Sequence, residues 1–345
     1  MSSPDAVSDK QVAEHHFLRA RPLVQAVLQH NPNDVDALIA QSTLYYAFNQ
    51  YGQMIAAAEK ALAVDGSSAA AHAQLVNALG AQLANSSAGF MTKLAAARRF
   101  HSEADITLKM DPNNIEATQD MAQFYWHAPA IAGGDKAKAQ QMADKLVRLS
   151  PIRGYALKAL FATDEVDTGK RLAALEAIWK QAAAVKPDSV EAHAGLGAAY
   201  LEQPGKLPLA EDEGKRAIAV APTRIDGYRL LARVYVRSGQ SDQLEADIKQ
   251  ARSAVADDLT PLYQAAAEML LLNQTAAWPR AETYLRTYLA QPAEGEEPTW
   301  AMAHWRLALV LEQEGHKDEA VRELQTAVSL DGTLEAAKKD LKRLK

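Results

Sequence analysis

Arg229, Arg233 and Arg237 stand four residues apart, so on a helix they drift by only about 40° per step along one face. A stripe of guanidinium groups suits a carboxylate, an acidic peptide or a phosphate, because each planar fork donates parallel N–H bonds. Other chemistries fit the residues poorly. The chain has no cysteine, which excludes disulfides, thiolate nucleophiles and Cys-ligated metals. His15-His16 and Glu191-Ala-His193 lack the H-E-x-x-H spacing that puts two imidazoles on one helix face for zinc. Gly195-Leu-Gly197 has no preceding strand, and Gly205-Lys206 is not part of a P-loop. No G-x-S-x-G elbow is present. The expectation is a non-enzymatic chain with no cofactor and no metal.

The elements that must position the arginines are helices. Over 345 residues, alanine is abundant while aromatic residues make up 6%, a balance that favours closely packed helices over a sheet core. The net charge of −6 argues against a nucleic-acid footprint, which needs a basic face. No apolar run is long enough to span a bilayer. MSSPDAVSDK at the start lacks the charged-then-apolar pattern of a signal sequence. Taken as it stands, that indicates a cytoplasmic protein; the alternative is a periplasmic one whose signal peptide was removed.

Helix-ending residues recur along the chain. Pro32, Gly66, Pro112, Pro151, Pro187, Pro222, Ala256, Pro292 and Gly332 follow one another at intervals of 34 to 46 residues. Proline and glycine suit these places because neither continues a helix. Between them, small and apolar residues keep a helical period. One unit shows His193, Leu196, Gly197, Tyr200, Ala210, Ala217 and Ile218 before Pro222. Another shows His304, Leu307, Ala308, Leu311, Gly315, Ala320, Leu324, Ala327 and Val328 before Gly332. A third shows Leu38, Ser42, Tyr45, Tyr51, Ala58, Ala61 and Leu62 before Gly66.

This pattern resembles the tetratricopeptide repeat family, whose unit of about 34 residues is a helix–turn–helix. The resemblance covers roughly residues 10–345. It implies an all-α fold: a right-handed superhelix, or α-solenoid, of about eight units in one domain spanning 1–345. Residues 10–30 would cap it at the N-terminal end and 333–345 at the C-terminal end. The repeats would span 35–332, with a long hairpin at 81–98 and an acidic, solvated linker at 293–299. His72, His193 and His304 fall where the family often has Trp, which makes them packing residues. The string Ala128-Pro129…Gly133-Gly134-Asp135…Ala137 is similar to a turn in some bacterial, often exported, members, such as the T component accompanying TRAP transporters.

In the family, the first helices of successive units line a concave groove. Carried over by position, that groove contains Tyr46, Trp126, His127, Lys158, Arg229, Arg233, Arg237, Trp305 and Arg306. Gly80 lies between Tyr46 and Trp126 in the register, leaving room either for an apolar pocket or for packing against the long hairpin. Glu202 sits at the level of Arg237, so the stripe faces either a ligand or an internal ion pair. Phe90 and Met91, beside a glycine turn, are candidates for a hairpin contact. The Lys/Asn clamp of chaperone-binding members is not reproduced; Asn77 alone matches one of its places. The resemblance thus implies an interaction scaffold or adaptor that binds a protein or peptide bearing an acidic or carboxylate group. The alternative is an accessory component of an extracytoplasmic transport system.

Overall fold

A computed structural model describes residues 11–12, 16–85, 90–292, 294–295 and 300–345. The described residues form eighteen α-helices and two short 3₁₀ turns, with no strand. The chain divides into two compact units, Met1–Lys186 and Pro187–Lys345. Unit 1 opens with α1 (Phe17–His30). Four hairpins follow: α2 (Val35–Ala47) with α3 (Tyr51–Val64), α4 (Ala69–Asn85) with α5 (Phe90–Met110), α6 (Ile115–His127) with α7 (Lys136–Leu149), and α8 (Pro151–Ala162) with α9 (Thr168–Val185). Unit 2 has four more: α10 (Val190–Leu201) with α11 (Leu207–Val220), α12 (Asp226–Ser238) with α13 (Ser241–Ala254), α14 (Thr260–Leu271) with α15 (Trp278–Leu289), and α16 (Trp300–Gln313) with α17 (Lys317–Leu330). It closes with α18 (Glu335–Leu344). No described helix is long and apolar enough to cross a membrane.

The two kinds of turn have different chemistry. Between hairpins, an aspartate after the second helix accepts the N–H two residues on: Asp65 from Ser67 (2.9 Å), Asp111 from Asn113 (3.0 Å), Asp331 from Thr333 (2.7 Å). These Asx turns stop one helix and launch the next. Asp34, Asn114 and Ser189 then cap the helices that follow, each accepting from the backbone N–H three residues on. Within six of the hairpins the chain reverses through a left-handed residue: Asn49 and Asn273, or Gly133, Gly205, Gly239 and Gly315. Asparagine tolerates that conformation better than other side chains, and glycine pays no Cβ penalty.

Small residues let the helices approach. Ala122 on α6 and Ala139 and Ala143 on α7 are fully buried against Leu146, Leu157 and Phe161. A close main-chain contact between helices lies at Gly154, where a Cβ would sit 2.3 Å from the Val147 backbone N. That neighbour is main chain and has no rotamer by which to retreat. Gly154→Ala is therefore expected to destabilise the chain by about 1–3 kcal/mol in urea unfolding. An unchanged midpoint would show that α7 and α8 can separate without cost.

The three histidines at the first large position of their helices are more than fillers. His193 is buried, with Nδ1 at 2.6 Å from Glu213 Oε2 on α11 and Nε2 at 2.8 Å from the Pro187 carbonyl. His72 meets Glu103 at 2.9 Å, and His304 meets Glu323 at 2.5 Å. Each ring links the two helices of its own hairpin. Tyr228 takes the same role toward the turn, donating to the Pro222 carbonyl at 3.1 Å. In the acidic linker, Glu294 is buried rather than solvated; residues 293 and 296–299 lie outside the described residues.

Candidate partner-binding face

In unit 1, first helix packs on first helix from α2 through α4 and α6 to α8, which brings the inward positions of successive repeats onto one face. Most of the candidate residues there are already engaged. Trp126 stacks on Phe161, with ring centroids 4.2 Å apart and planes 7° from parallel. Lys136 lies over the Trp126 ring at 4.4 Å, and the indole N–H donates to Asp164 at 2.8 Å. One face being covered by Phe161, the ammonium occupies the other. A Cβ at Gly80 would meet the Phe100 ring at 3.2 Å, so this glycine makes room for the long hairpin. Lys158 pairs with Asp144 at 2.6 Å.

Tyr46, Met91 and His127 are open to solvent. Tyr46 is 45% exposed near the end of α2, and Met91 is 73% exposed near the start of α5. His127 ends α6 and is exposed; the Phe90 side chain lies outside the described residues. One group on this face escaped the sequence reading. Asp120 on α6 has its Oδ2 sealed from solvent without a hydrogen-bond partner. Burial pushes its carboxyl up to about 7, against the opposing pull of an Asn77 hydrogen bond and Arg153. The only signal for it was an acidic residue at an inward position of a first helix.

In unit 2, the arginine stripe splits. Arg233 and Arg237 direct their Nε atoms to Glu268 on α14, at 2.9 and 2.5 Å. Their Nη2 atoms both reach Glu202 Oε1, at 2.8 and 3.0 Å. Arg237 also donates through Nη1 to the Leu201 carbonyl at 2.6 Å. Glu268 is 3% exposed, whereas Glu202, just past the end of α10, is 45% exposed. The internal pairing to Glu202 therefore forms, and a second, buried carboxylate sits beneath it.

Arg229 is different. Among the described residues it makes no ion pair, although its charge counters the rise that burial imposes on the Asp258 carboxyl. It lines a cavity of about 270 Å³ together with Asp226, Leu230 and Arg233 from its own helix. Ala194 and Ala198 of α10 and Gln264 of α14 complete the lining. The cavity therefore lies across three successive first helices. It joins two guanidiniums to a small apolar floor and one amide; the Asp226 carboxylate on its rim is itself paired with Arg224 at 3.1 Å.

Farther along, Trp305 donates its indole N–H to Asp340 on the terminal helix at 2.9 Å, so α18 covers it. Arg306 stacks over Tyr263 at 4.7 Å and donates to its hydroxyl, and desolvation lowers its pKa. Tyr263 in turn packs at 5.4 Å from Tyr288.

Eight helical hairpins, Asx turns between them and close helix contacts define an all-α helical-repeat solenoid among the described residues. The model of the tetratricopeptide repeat matches residues 302–334, the last hairpin and the turn after it. The crystal structure of yeast Tom70 is similar in fold, with a TM-score of 0.53 at 13% identity over 99% of this chain and 80% of that one. No curated relative matches.

Proposed function

We propose that the face of unit 2 around Arg229 captures an acidic segment of a partner protein, and that the chain works as a non-enzymatic adaptor. Arg229 carries this reading. A guanidinium at the edge of a small cavity that feels Asp258 only through space, with no direct ion pair among the described residues, leaves its N–H fork open, so an incoming carboxylate meets less competition there than at a paired arginine. Ala194, Ala198 and Leu230 supply apolar floor for the ligand's methylene groups. Gln264 offers an amide for a ligand backbone.

Charge reversal is the direct test. Arg229→Glu is expected to weaken binding of a glutamate-rich peptide at least about tenfold, roughly the worth of one charge-assisted contact. Arg229→Gln, which adds no negative charge near Asp258, is expected to weaken it in the same direction and so separates lost binding from a lost fold. Affinity equal to wild type in both variants would refute the site. Reversing Arg233 as well is a poor test, because it would also strip a partner from buried Glu268.

A further inference from the structure

Arg233 and Arg237 divide their donors alike. Each Nε is committed to Glu268, a nearly inaccessible carboxylate that fixes both guanidinium planes. Each Nη2 is aimed at the same point, which Glu202 Oε1 occupies at 2.8 and 3.0 Å. Two anchored donors converging on one oxygen make a preformed oxyanion position. Its occupant comes from a turn rather than from the core. Glu202 follows the end of α10, remains 45% exposed, and stands three residues before Gly205 at φ +75°. The two carboxylates thus differ in role: Glu268 holds the arginines, and Glu202 fills the place they define.

We propose that this position is a seat for a carboxylate of the acidic partner segment, and that Glu202 is a tethered surrogate which the incoming carboxylate displaces. This rests on the reading of Arg229 given above and deepens it. With Glu202 in place, the group of two arginines and two glutamates is neutral; with Glu202 withdrawn, it gains one positive charge and two unsatisfied N–H donors. A tethered competitor acts at an effective concentration of about millimolar order, so a single free carboxylate displaces it poorly. A ligand with a second acidic group gains the Arg229 contact as well. Arg229 lies one helical turn from Arg233 and two from Arg237, about 6 and 12 Å along the axis. The site therefore selects segments with at least two acidic side chains over isolated carboxylates.

The test measures binding of a labelled glutamate-rich peptide by anisotropy to the full chain and its variants. Glu202→Ala is expected to bind about tenfold more tightly than wild type, the worth of one displaced charge-assisted contact. Glu335→Ala removes an equally negative but remote group, 81% exposed on α18, and is expected to match wild type. Equal affinity of Glu202→Ala and wild type overturns the seat; if Arg229→Ala still weakens binding, the Arg229 reading stands alone. A gain of the same size in Glu335→Ala reduces the effect to net charge and also overturns the seat. Absence of binding by both wild type and Glu202→Ala overturns seat and reading together. Inorganic phosphate competing as strongly as the peptide would overturn the carboxylate assignment.

Discussion

Replacing Glu268 by alanine is expected to cost the chain about 3–5 kcal/mol, the usual penalty for breaking a buried pair by removing one member. Glu268 is 3% exposed and receives Nε donors from both Arg233 and Arg237. Without it two half-buried guanidiniums keep one carboxylate between them, the exposed Glu202, with the Leu201 carbonyl as a further acceptor for Arg237. It also joins α14 to α12, so the loss falls on the contact between two successive hairpins. Glu202→Ala removes bonds to the same two arginines, yet is expected to cost less than about 1 kcal/mol, because an exposed carboxylate is already well solvated. Urea unfolding of the two variants side by side checks this ordering. Equal midpoints would mean that the arginines are not anchored from below, and the preformed oxyanion position would lose its basis.

The contrast between the two glutamates shows where sequence reading succeeded and where it stopped. The repeat was legible because the residues that end helices are few in kind. Pro112, Pro187 and Pro222 stop or launch helices by their own covalent geometry, and Asp65 and Asp331 by local hydrogen bonds. The histidines at 72, 193 and 304 were legible by register as packing positions; their glutamate partners on the second helices were not. The inward face was harder still. Nearly every polar partner there lies about one repeat away: Trp126 to Asp164, Trp305 to Asp340, Arg237 to Glu202, Arg233 to Glu268.

That regularity has a physical cause. In a solenoid each repeat touches only its neighbours, so an inward side chain finds its partner one period before or after it. Glu202 was found by looking one repeat back from Arg237. Looking one repeat forward from Arg233 would have found Glu268. It would not have separated the two roles, since burial beneath the arginines and exposure above them follow from how α10, α12 and α14 pack. Nor does spacing single out Arg229, which unlike Arg233 and Arg237 makes no direct ion pair among the described residues.

Asp247 on α13 makes stability fall as pH rises. The residue is 5% exposed and its Oδ2 has no hydrogen-bond partner among the described residues. Burial pushes the carboxyl from an ordinary value of 3.8 up to about 8. Nearby Tyr228 and Tyr235 offer no positive charge, and both phenols are themselves raised by burial first and by Asp247 among the charges around them. Below the unfolded value both states hold the proton, and Asp247 leaves stability independent of pH. As pH rises, the unfolded chain releases the proton while the native one keeps it. Stability then falls by about 1.4 kcal/mol per pH unit from this group, until the native carboxyl also ionises. Depressed carboxyls such as Asp331 and Glu312, held down chiefly by Thr333 and Arg343, act in the opposite sense and only in the acid range. Asp247→Asn removes the titration and keeps the shape. Its stability relative to wild type is therefore expected to climb between pH 5 and pH 8, by on the order of 3 kcal/mol, in urea unfolding followed across that window. Parallel pH profiles for the two proteins would show that Asp247 enters the folded state charged. In that case it must have a cationic or hydrogen-bonding partner, and the packing of α13 against Tyr228 and Tyr235 would have to differ from that described.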